Sequence, residues 1–216
     1  TDPHTFTLIG GGGHASVLAE AAALLGHGLG GFFDDSTSPR LLLDRPTLAR
    51  LGTLREAHAA LARPRHSIVP EAWILATGDV DLRRSLLDAG LLALTPSAGT
   101  LIHPTAWVSP SASLGRGVFV GPGAIVHTAA HIADHAIINS GSIIEHHARV
   151  GENTHIAPGS ILGGAAVIGR DVLMGIASRT LPGAKVGDGA TVGSSALVLK
   201  EIAAGEKVVG VPARRK

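Results

Sequence analysis

The chain of 216 residues contains no cysteine, and its aromatic residues are few: two tryptophans and four phenylalanines. Without cysteine it can form no disulfide and perform no thiol chemistry. It has no run of about 18 apolar residues and no signal-like start, so we expect neither a membrane span nor secretion and predict a cytoplasmic protein. A net charge of +1 gives no reason to expect nucleic acid or an anionic membrane as a partner.

The second half of the chain keeps a strict six-residue period. Apolar residues recur at every sixth position from Ile102 to Val198, and Thr180 is the one polar residue in that series. The residue four places later is small or β-branched, and a glycine often follows the apolar residue directly, as at Gly163. A period of six matches neither an α-helix nor a hairpin array, and it is typical of a parallel β-helix built from hexapeptides.

Three hexads would close a triangular coil of eighteen residues, and successive coils would stack at strand spacing, about 4.8 Å. The large aliphatic residue points inward and the small one fits beside it. Glycine, asparagine and aspartate are expected at the corners, where they tolerate unusual φ and ψ angles. Low aromatic content suits so narrow an interior.

The first part of the chain lacks this period and predicts alternating strands and helices. The apolar run Phe6–Ile9, the turn Gly10–Gly13 and the alanine-rich helix that follows form the opening of a βαβ unit, which can bind a phosphate at the helix N-terminus. A second strand ends in Asp34 and Asp35, where nucleotide-binding folds commonly place an acid.

Later segments predict a buried strand at Trp73–Ala76, a loop at Thr77–Asp79, a helix, and a last short strand at Leu91–Leu94. We therefore predict a Rossmann-like α/β domain over residues 1–97, followed by a β-helix domain with a C-terminal tail over residues 98–216.

Several motifs together resemble the bacterial hexapeptide-repeat acyltransferases that acetylate nucleotide sugars or sialic acid, most closely those acting on UDP-linked 4-amino-4,6-dideoxy sugars, as in bacillosamine synthesis. The motifs are Gly10-Gly11-Gly12-Gly13-His14-Ala15, Phe33-Asp34-Asp35, Gly78-Asp79-x-x-x-Arg83, Leu101-Ile102-His103-Pro104, Ile143-Ile144-Glu145-His146 and Gly210-Val211-Pro212-Ala213.

This resemblance implies a left-handed β-helix, a homotrimer with active sites between subunits, and transfer of an acetyl group from acetyl-CoA to the amino group of a nucleotide-linked 4-amino-4,6-dideoxy sugar. It implies that His146 is the general base and that Asn139 orients the base or the substrate. A neutral imidazole suits removal of a proton from an attacking amine at pH 7. O-acetylation of a sialic acid or a related sugar is the alternative.

The resemblance also implies that residues 1–97 bind the nucleotide sugar and that residues 98–216 form the acetyltransferase domain, and it assigns the binding residues. Those expected to contact acetyl-CoA are His155, Gly164, Ile176 and Ser194, the last standing where relatives have glycine. Those expected to bind the nucleotide sugar are Gly12, Gly13, His14, Asp34, Asp35 and Gly78, with Arg83 as a weaker candidate.

One position departs from the family pattern. Relatives usually carry Glu or Asp directly after the base, whereas this chain has His147, which has no negative charge. Asp134, Glu145 and Glu152 remain as acids for supporting His146, although adjacent strand side chains diverge, which weakens Glu145.

Three further histidines suggest a metal site, but the coil geometry argues against it. His127, His131 and His135 fall on different sides of an eighteen-residue coil, so one ion could not gather them, and we predict no metal.

Two other function classes stay open at this point. A non-catalytic β-helix, carbonic-anhydrase-like or a scaffold, would not need the glycine-turn module. An NAD-binding module of an oxidoreductase would need a second catalytic domain, and none follows.

Overall fold

The computed structural model describes residues 4–45, 47–62 and 71–216. The chain divides into two compact units, Thr1–Pro104 and Thr105–Lys216. The boundary lies a few residues beyond the end predicted for the first domain. In the described part of the chain, no helix is both long and apolar enough to span a bilayer.

Strands and helices alternate in the first unit. They are β1 (Thr5–Ile9), α1 (Gly13–Leu24), β2 (Gly28–Phe33), α2 (Arg40–Asp44), β3 (Arg50–Gly52), a 3₁₀ turn (Leu54–Glu56), α3 (Ala57–Leu61), β4 (Glu71–Leu75), α4 (Val80–Asp88), a 3₁₀ helix (Leu91–Ser97) and β5 (Leu101–Ile102). The first four strands form a parallel sheet in the order β3-β2-β1-β4. The strand order therefore reverses between β1 and β4, beside the glycine turn that follows β1.

The predicted strand at Leu91–Leu94 is wrong, because this segment is 3₁₀ helix. Gly90 ends α4 with a φ of +129°, a conformation that favours glycine. Leu91 is then buried whereas Leu92 is 43% exposed. Pro96 has no N–H to give to a strand ladder, and the Leu94 carbonyl accepts the indole N–H of Trp73 at 3.1 Å. The segment therefore covers the core as a helical turn.

The second unit consists of short strands joined by corners. They are β6 (Trp107–Val108), β7 (Ser113–Leu114), β8 (Phe119–Val120), β9 (Ile125–Val126), β10 (His131–Ile132), β11 (Ile137–Ile138), β12 (Ile143–Ile144), β13 (Arg149–Val150), β14 (His155–Ile156), β15 (Ile161–Leu162), β16 (Val167–Ile168), β17 (Leu173–Met174), β18 (Arg179–Thr180), β19 (Lys185–Val186), β20 (Thr191–Val192), β21 (Leu197–Val198), β22 (Glu201–Ile202), β23 (Lys207–Val209) and β24 (Arg214–Arg215).

These strands stack into three sheets, which we call faces. Face 1 contains β6, β9, β12, β15, β18 and β21; face 2 contains β7, β10, β13, β16, β19 and β22; face 3 contains β8, β11, β14, β17, β20, β23 and β24. From β6 to β21, paired residues lie eighteen apart in sequence, as Ile143 and Ile161 do, so three hexads make one coil. In the last coil the spacing shortens to sixteen, as between Lys185 and Glu201. The stacked parallel sheets fit the predicted left-handed β-helix.

The three faces enclose a prism, and the six-residue period determines which residues lie in its interior. From Val120 to Val198, every residue of the apolar series is buried, and each is the last residue of its strand. The polar exception, Thr180, is only 5% exposed, and its hydroxyl accepts the N–H of Gly163 at 3.0 Å. A hydrogen-bonded hydroxyl can be buried at small cost, so the single break in the pattern does not break the prism.

Counted from the apolar residue, the fourth residue of every hexad from Gly117 to Ser195 turns the corner in a left-handed conformation. Its φ is close to +60° whether the residue is glycine, as at Gly159 with +69°, or not, as at His147 with +61°. The glycine directly after the apolar residue has a different purpose. At Gly163, a Cβ would lie 2.5 Å from the Pro182 nitrogen of the next coil, so only glycine lets the coils stack closely.

Candidate active site

His146 and His147 form a pair at the corner that follows β12 of face 1. Both side chains are exposed. Their Nδ1 atoms lie 3.1 Å apart, at hydrogen-bond distance, and their ring planes cross at 81°. The backbone holds both residues, because the His147 N–H donates to the Thr128 carbonyl at 3.0 Å and the His146 carbonyl accepts the Ala165 N–H at 2.8 Å. The general base expected from the sequence thus has a fixed backbone and an imidazole partner.

Gly164 lies against the ring of His146 from the next coil. A Cβ built on Gly164 would stand 2.6 Å from Cε1 of His146 and 2.7 Å from its Nε2. Real Cβ atoms essentially never lie closer than 3.0 Å to another heavy atom, so a side chain at this position would displace the observed ring. Gly164, which the resemblance assigns to acetyl-CoA, therefore has to lack a side chain to accommodate the imidazole.

Asn139 and His155 form a second pair, on face 3. The Asn139 side-chain amide donates to Nε2 of His155 at 3.1 Å, and its Oδ1 accepts the N–H of Ser140 at 2.8 Å. Because an amide nitrogen only donates, Nε2 of His155 is an acceptor and its proton lies on Nδ1. The structure thus places Asn139 on His155, and not on His146 of the same chain.

The remaining residues expected to contact the coenzyme also follow face 3. Ile176 lies two residues after β17 and is 58% exposed, and Ser194 lies two residues after β20 and is exposed. His146 and Gly164, by contrast, follow strands of face 1. Within one chain the predicted base and most of the predicted coenzyme contacts therefore lie on different edges of the prism.

Five of the six residues expected to bind the nucleotide sugar line a cleft of about 330 Å³ in the first unit. The glycine turn after β1, the N-terminus of α1 and the loop before α4 line it, with Asp34 from the end of β2. Gly12, Gly13, His14 and Gly78 all belong to this lining. Parallel α/β sheets bind ligands at the point where the strand order reverses, which is where this cleft lies.

The two aspartates have different positions around the cleft. Both carboxylate oxygens of Asp34 accept backbone N–H groups, from Gly11 at 2.6 Å and from Ser36 at 2.8 Å. Asp35 does not line the cleft, and its Oδ1 accepts the Leu54 N–H at 3.0 Å. Both acids therefore shape the loops around the cleft.

Arg83 supports the cleft from beneath. Its side chain is 1% exposed, and its Nη1 donates to the Thr77 carbonyl at 3.1 Å. Burial lowers the pKa of Arg83 to about 9, so the guanidinium is still charged at pH 7. The sequence interpretation gave Arg83 to the ligand, whereas the structure shows it holding the Thr77 loop.

None of the acids considered for His146 contacts it. Asp134 uses Oδ1 to accept the Arg116 N–H at 2.8 Å. Over residues 4–45, 47–62 and 71–216, no carboxylate forms a hydrogen bond or ion pair with the ring of His146 or His147.

The three other histidines have separate environments. His127 packs edge-on against Trp107 with ring centres 5.1 Å apart, His131 Nδ1 lies 2.7 Å from the Ser113 hydroxyl, and His135 is buried. Among the described residues, no cluster of three or more histidines and acids is arranged for a metal ion.

Comparison with known proteins identifies the family. The model of the bacterial transferase hexapeptide (six repeats) matches residues 129–164. No curated protein gives a significant sequence match. The acetyltransferase domain of PglB from Neisseria gonorrhoeae FA1090 is 30% identical, with a TM-score of 0.83, over 99% of this chain and 100% of that one. The chain belongs to the hexapeptide-repeat acetyltransferases. It is therefore an acyltransferase.

Two further solved structures place ligands on relatives of this acetyltransferase. The same PglB domain in complex with acetyl coenzyme A is 31% identical, with a TM-score of 0.82, over 99% of this chain and all of that one. PerB from Caulobacter crescentus, in complex with CoA and GDP-perosamine, is 28% identical, with a TM-score of 0.82, over 100% of this chain and 98% of that one. The similarity to these structures therefore extends over both units of the acetyltransferase.

Two contacts in the acetyltransferase escaped the sequence interpretation. The Asn139–His155 pair follows from the coil length, because His155 pairs with Ile137 of the coil below and Asn139 lies two residues further along. The His146–His147 contact has no such signal, since it depends on the corner conformation of His147.

Proposed function

We propose that this chain is an acetyl-CoA-dependent N-acetyltransferase that acts on the amino group of a nucleotide-linked 4-amino-4,6-dideoxy sugar. The observation that carries the proposal is the full-length similarity to PerB, whose structure holds CoA and GDP-perosamine together. The similarity to the PglB domain with acetyl coenzyme A supports the same donor. The sequence resemblance favours a UDP-linked sugar.

The chemistry assigned to the prism is direct attack on the thioester. The sugar amine forms a C–N bond with the acetyl carbonyl carbon, and His146 Nε2 takes the proton that the amine loses. The C–S bond then breaks, and the CoA sulfur leaves and receives that proton. A positioned base of this kind contributes about 10²- to 10⁴-fold in rate.

The site also needs a donor for the oxygen that becomes negative during attack. In the described part of the chain, the backbone N–H of Gly164 has no acceptor. A Cβ built on this residue would lie 2.7 Å from Nε2 of His146, so the Gly164 backbone runs close to that nitrogen. We assign this N–H to the thioester oxygen, and His155, Ile176 and Ser194 to the coenzyme.

The first unit is assigned to the nucleotide part of the sugar substrate. The strand order β3-β2-β1-β4 and the glycine turn before α1 support a Rossmann-like nucleotide site, with backbone N–H groups at Gly12 and Gly13 facing the diphosphate. His14 and Gly78 line the same cleft, where Asp34 fixes the turn.

We further propose a homotrimer with active sites between subunits. The separation of His146 on face 1 from His155, Ile176 and Ser194 on face 3 supports it, because a single chain does not bring these groups to one edge. A second copy would supply the missing half of the site.

Turnover with a panel of nucleotide 4-amino sugars tests the proposal. CoA release and product mass are measured with UDP-, GDP-, dTDP- and CMP-linked acceptors, with a sialic acid as the hydroxyl acceptor and NAD as a binding control. We expect an amide product from one amino-sugar class and a loss of about 10²-fold or more in kcat for His146→Ala. Binding of NAD without acetyl-CoA binding would overturn the assignment, as would full activity of His146→Ala.

A further inference from the structure

The hydrogen bond between His146 and His147 leaves two possible proton arrangements. A neutral imidazole has one N–H, and here the two Nδ1 atoms face each other at 3.1 Å. One ring must therefore donate and the other accept. If His146 donates, its Nε2 holds a free lone pair. If His147 donates, the proton of His146 lies on Nε2, and that nitrogen cannot act as a base.

The corner conformation makes this contact possible. On an extended strand, successive side chains point to opposite sides. His147 instead has a φ of +61°, and its N–H is anchored on the Thr128 carbonyl at 3.0 Å. This turn brings its ring back toward the ring of the preceding residue, with centroids 5.3 Å apart.

We propose that His147 is a positioning residue that accepts the hydrogen bond from Nδ1–H of His146 and so keeps Nε2 of His146 open to take a proton. The inference rests on the proposed function, in which His146 is the base. When Nε2 of His146 takes the proton from the amine, the ring becomes an imidazolium with N–H on both nitrogens. Its Nδ1–H then already has an acceptor, so proton transfer requires no rearrangement of the pair.

The surroundings of the pair favour His147 as the hydrogen-bond acceptor for Nδ1–H of His146. Among the described residues no carboxylate reaches either ring, so the acceptor for His146 is a neutral imidazole. Gly164 bounds the other side of the His146 ring, 2.6 Å from its Cε1 to the Cβ position. The ring is thus confined between His147 and the Gly164 backbone, with its proton position set by His147.

Two substitutions at position 147 distinguish the effect of the hydrogen-bond acceptor from the effect of the corner conformation. Asparagine and glycine both adopt left-handed φ readily, so both preserve the corner. Asparagine Oδ1 occupies the same branch position as histidine Nδ1 and accepts a hydrogen bond, whereas glycine offers no acceptor. We expect His147→Gly to lower kcat about 10- to 100-fold, as for loss of a hydrogen bond to a group that becomes charged, with KM for acetyl-CoA and sugar unchanged. His147→Asn should recover most of kcat, and thermal midpoints should agree among the three proteins.

The proton position of His146 is measured directly by ¹⁵N NMR of histidine-labelled full-length protein without substrates, with His146→Gln to assign the signals. At a pH where the ring is neutral, we expect the proton on Nδ1 in the wild type and in His147→Asn, and a shift toward Nε2 in His147→Gly. A wild-type proton on Nε2, or unchanged kcat in His147→Gly, would overturn the inference. The spectrum is recorded without turnover, so it tests the role of His147 independently of the proposed function. Failure of the proposed function would be seen separately, as full activity of His146→Ala.

Discussion

Replacement by alanine should have different effects at the adjacent residues Gly163 and Gly164: it should lower activity at Gly164 and stability at Gly163. At Gly164 the new Cβ meets the end of an exposed side chain, with Cε1 of His146 at 2.6 Å. Ordinary contact begins at 3.4 Å, so the ring must withdraw by 3.4 − 2.6 = 0.8 Å. A displacement near 1 Å costs about 100-fold in rate, which corresponds to about 2.7 kcal/mol of transition-state stabilisation. The ring is exposed and can be displaced outward into solvent, so the free energy of unfolding should change by less than about 1 kcal/mol.

At Gly163 the new Cβ meets backbone. It would lie 2.5 Å from the Pro182 nitrogen and 2.6 Å from the Leu181 carbonyl carbon, and neither can move without parting the coils. Overpacking of this kind costs about 1–3 kcal/mol. For a chain of this length, a loss of 2 kcal/mol lowers the thermal midpoint by about 4–8 °C.

Initial rates of CoA release and thermal midpoints of Gly163→Ala and Gly164→Ala measure the contrast. In a His146→Ala background, where the ring is absent, Gly164→Ala should also leave the thermal midpoint unchanged. Wild-type kcat in Gly164→Ala would refute the claim that the ring must occupy its observed position. Equal loss of stability in the two variants would refute the distinction between a flexible and a rigid neighbour.

Three other perturbations test the supporting structure. Arg83→Met removes the donor to the Thr77 carbonyl, so KM for the nucleotide sugar should rise about tenfold with kcat unchanged; an unchanged KM would show that the loop is held by other contacts. Thr180→Val removes the hydroxyl that accepts the Gly163 N–H, but the Thr180 carbonyl also accepts it at 3.2 Å. Denaturant titration should therefore show a loss below about 1 kcal/mol, and a larger one would contradict this account. Burial lowers the pKa of His27 from 6.5, so below pH 6.5 the unfolded chain binds more protons than the folded one and stability falls. Thermal midpoints from pH 7 to 5 should fall less steeply in His27→Gln, and an identical slope would exclude His27 as a cause.

The prism was predictable because its period is strict and its physical cause is simple. Each apolar residue of the series closes one short strand, and residues eighteen apart pair in register, as Ile143 and Ile161 do. The one polar residue in the series, Thr180, does not disturb this, since its hydroxyl is hydrogen-bonded. A repeated interior leaves few alternative registers, so the pattern alone indicates the fold.

The first unit was harder to predict near its end. Leu91–Leu94 has the composition of a buried strand, and the hydrophobic pattern of so short a segment does not separate strand from helix. The deciding features are tertiary: the left-handed φ of Gly90 and the Trp73 indole N–H that holds the Leu94 carbonyl. Neither is visible in the sequence of the segment.

The positions of the candidate site residues followed from the coil length, whereas their contacts did not. Counting by eighteen places Gly164 above His146, and the structure has them in contact. The same count places Ile137 beside His155, and Asn139, two residues after Ile137, contacts His155. The expectation that side chains of adjacent residues diverge holds on strands, and it fails for His147, because a left-handed corner does not alternate its side chains.

The left-handed corner is also where this fold can carry chemistry. Eight non-glycine residues occupy that position, among them Ala129, His135, Asn153 and His147. For most L-residues the left-handed conformation costs about 1–2 kcal/mol, less for asparagine and histidine. Stacking of buried apolar residues within every coil offsets that cost, so glycine is not obligatory. The side chain of His147 is exposed, and its backbone is held by the Thr128 carbonyl. At position 147, the chain therefore has an imidazole in contact with His146, where glycine would give a better corner but no partner for the base.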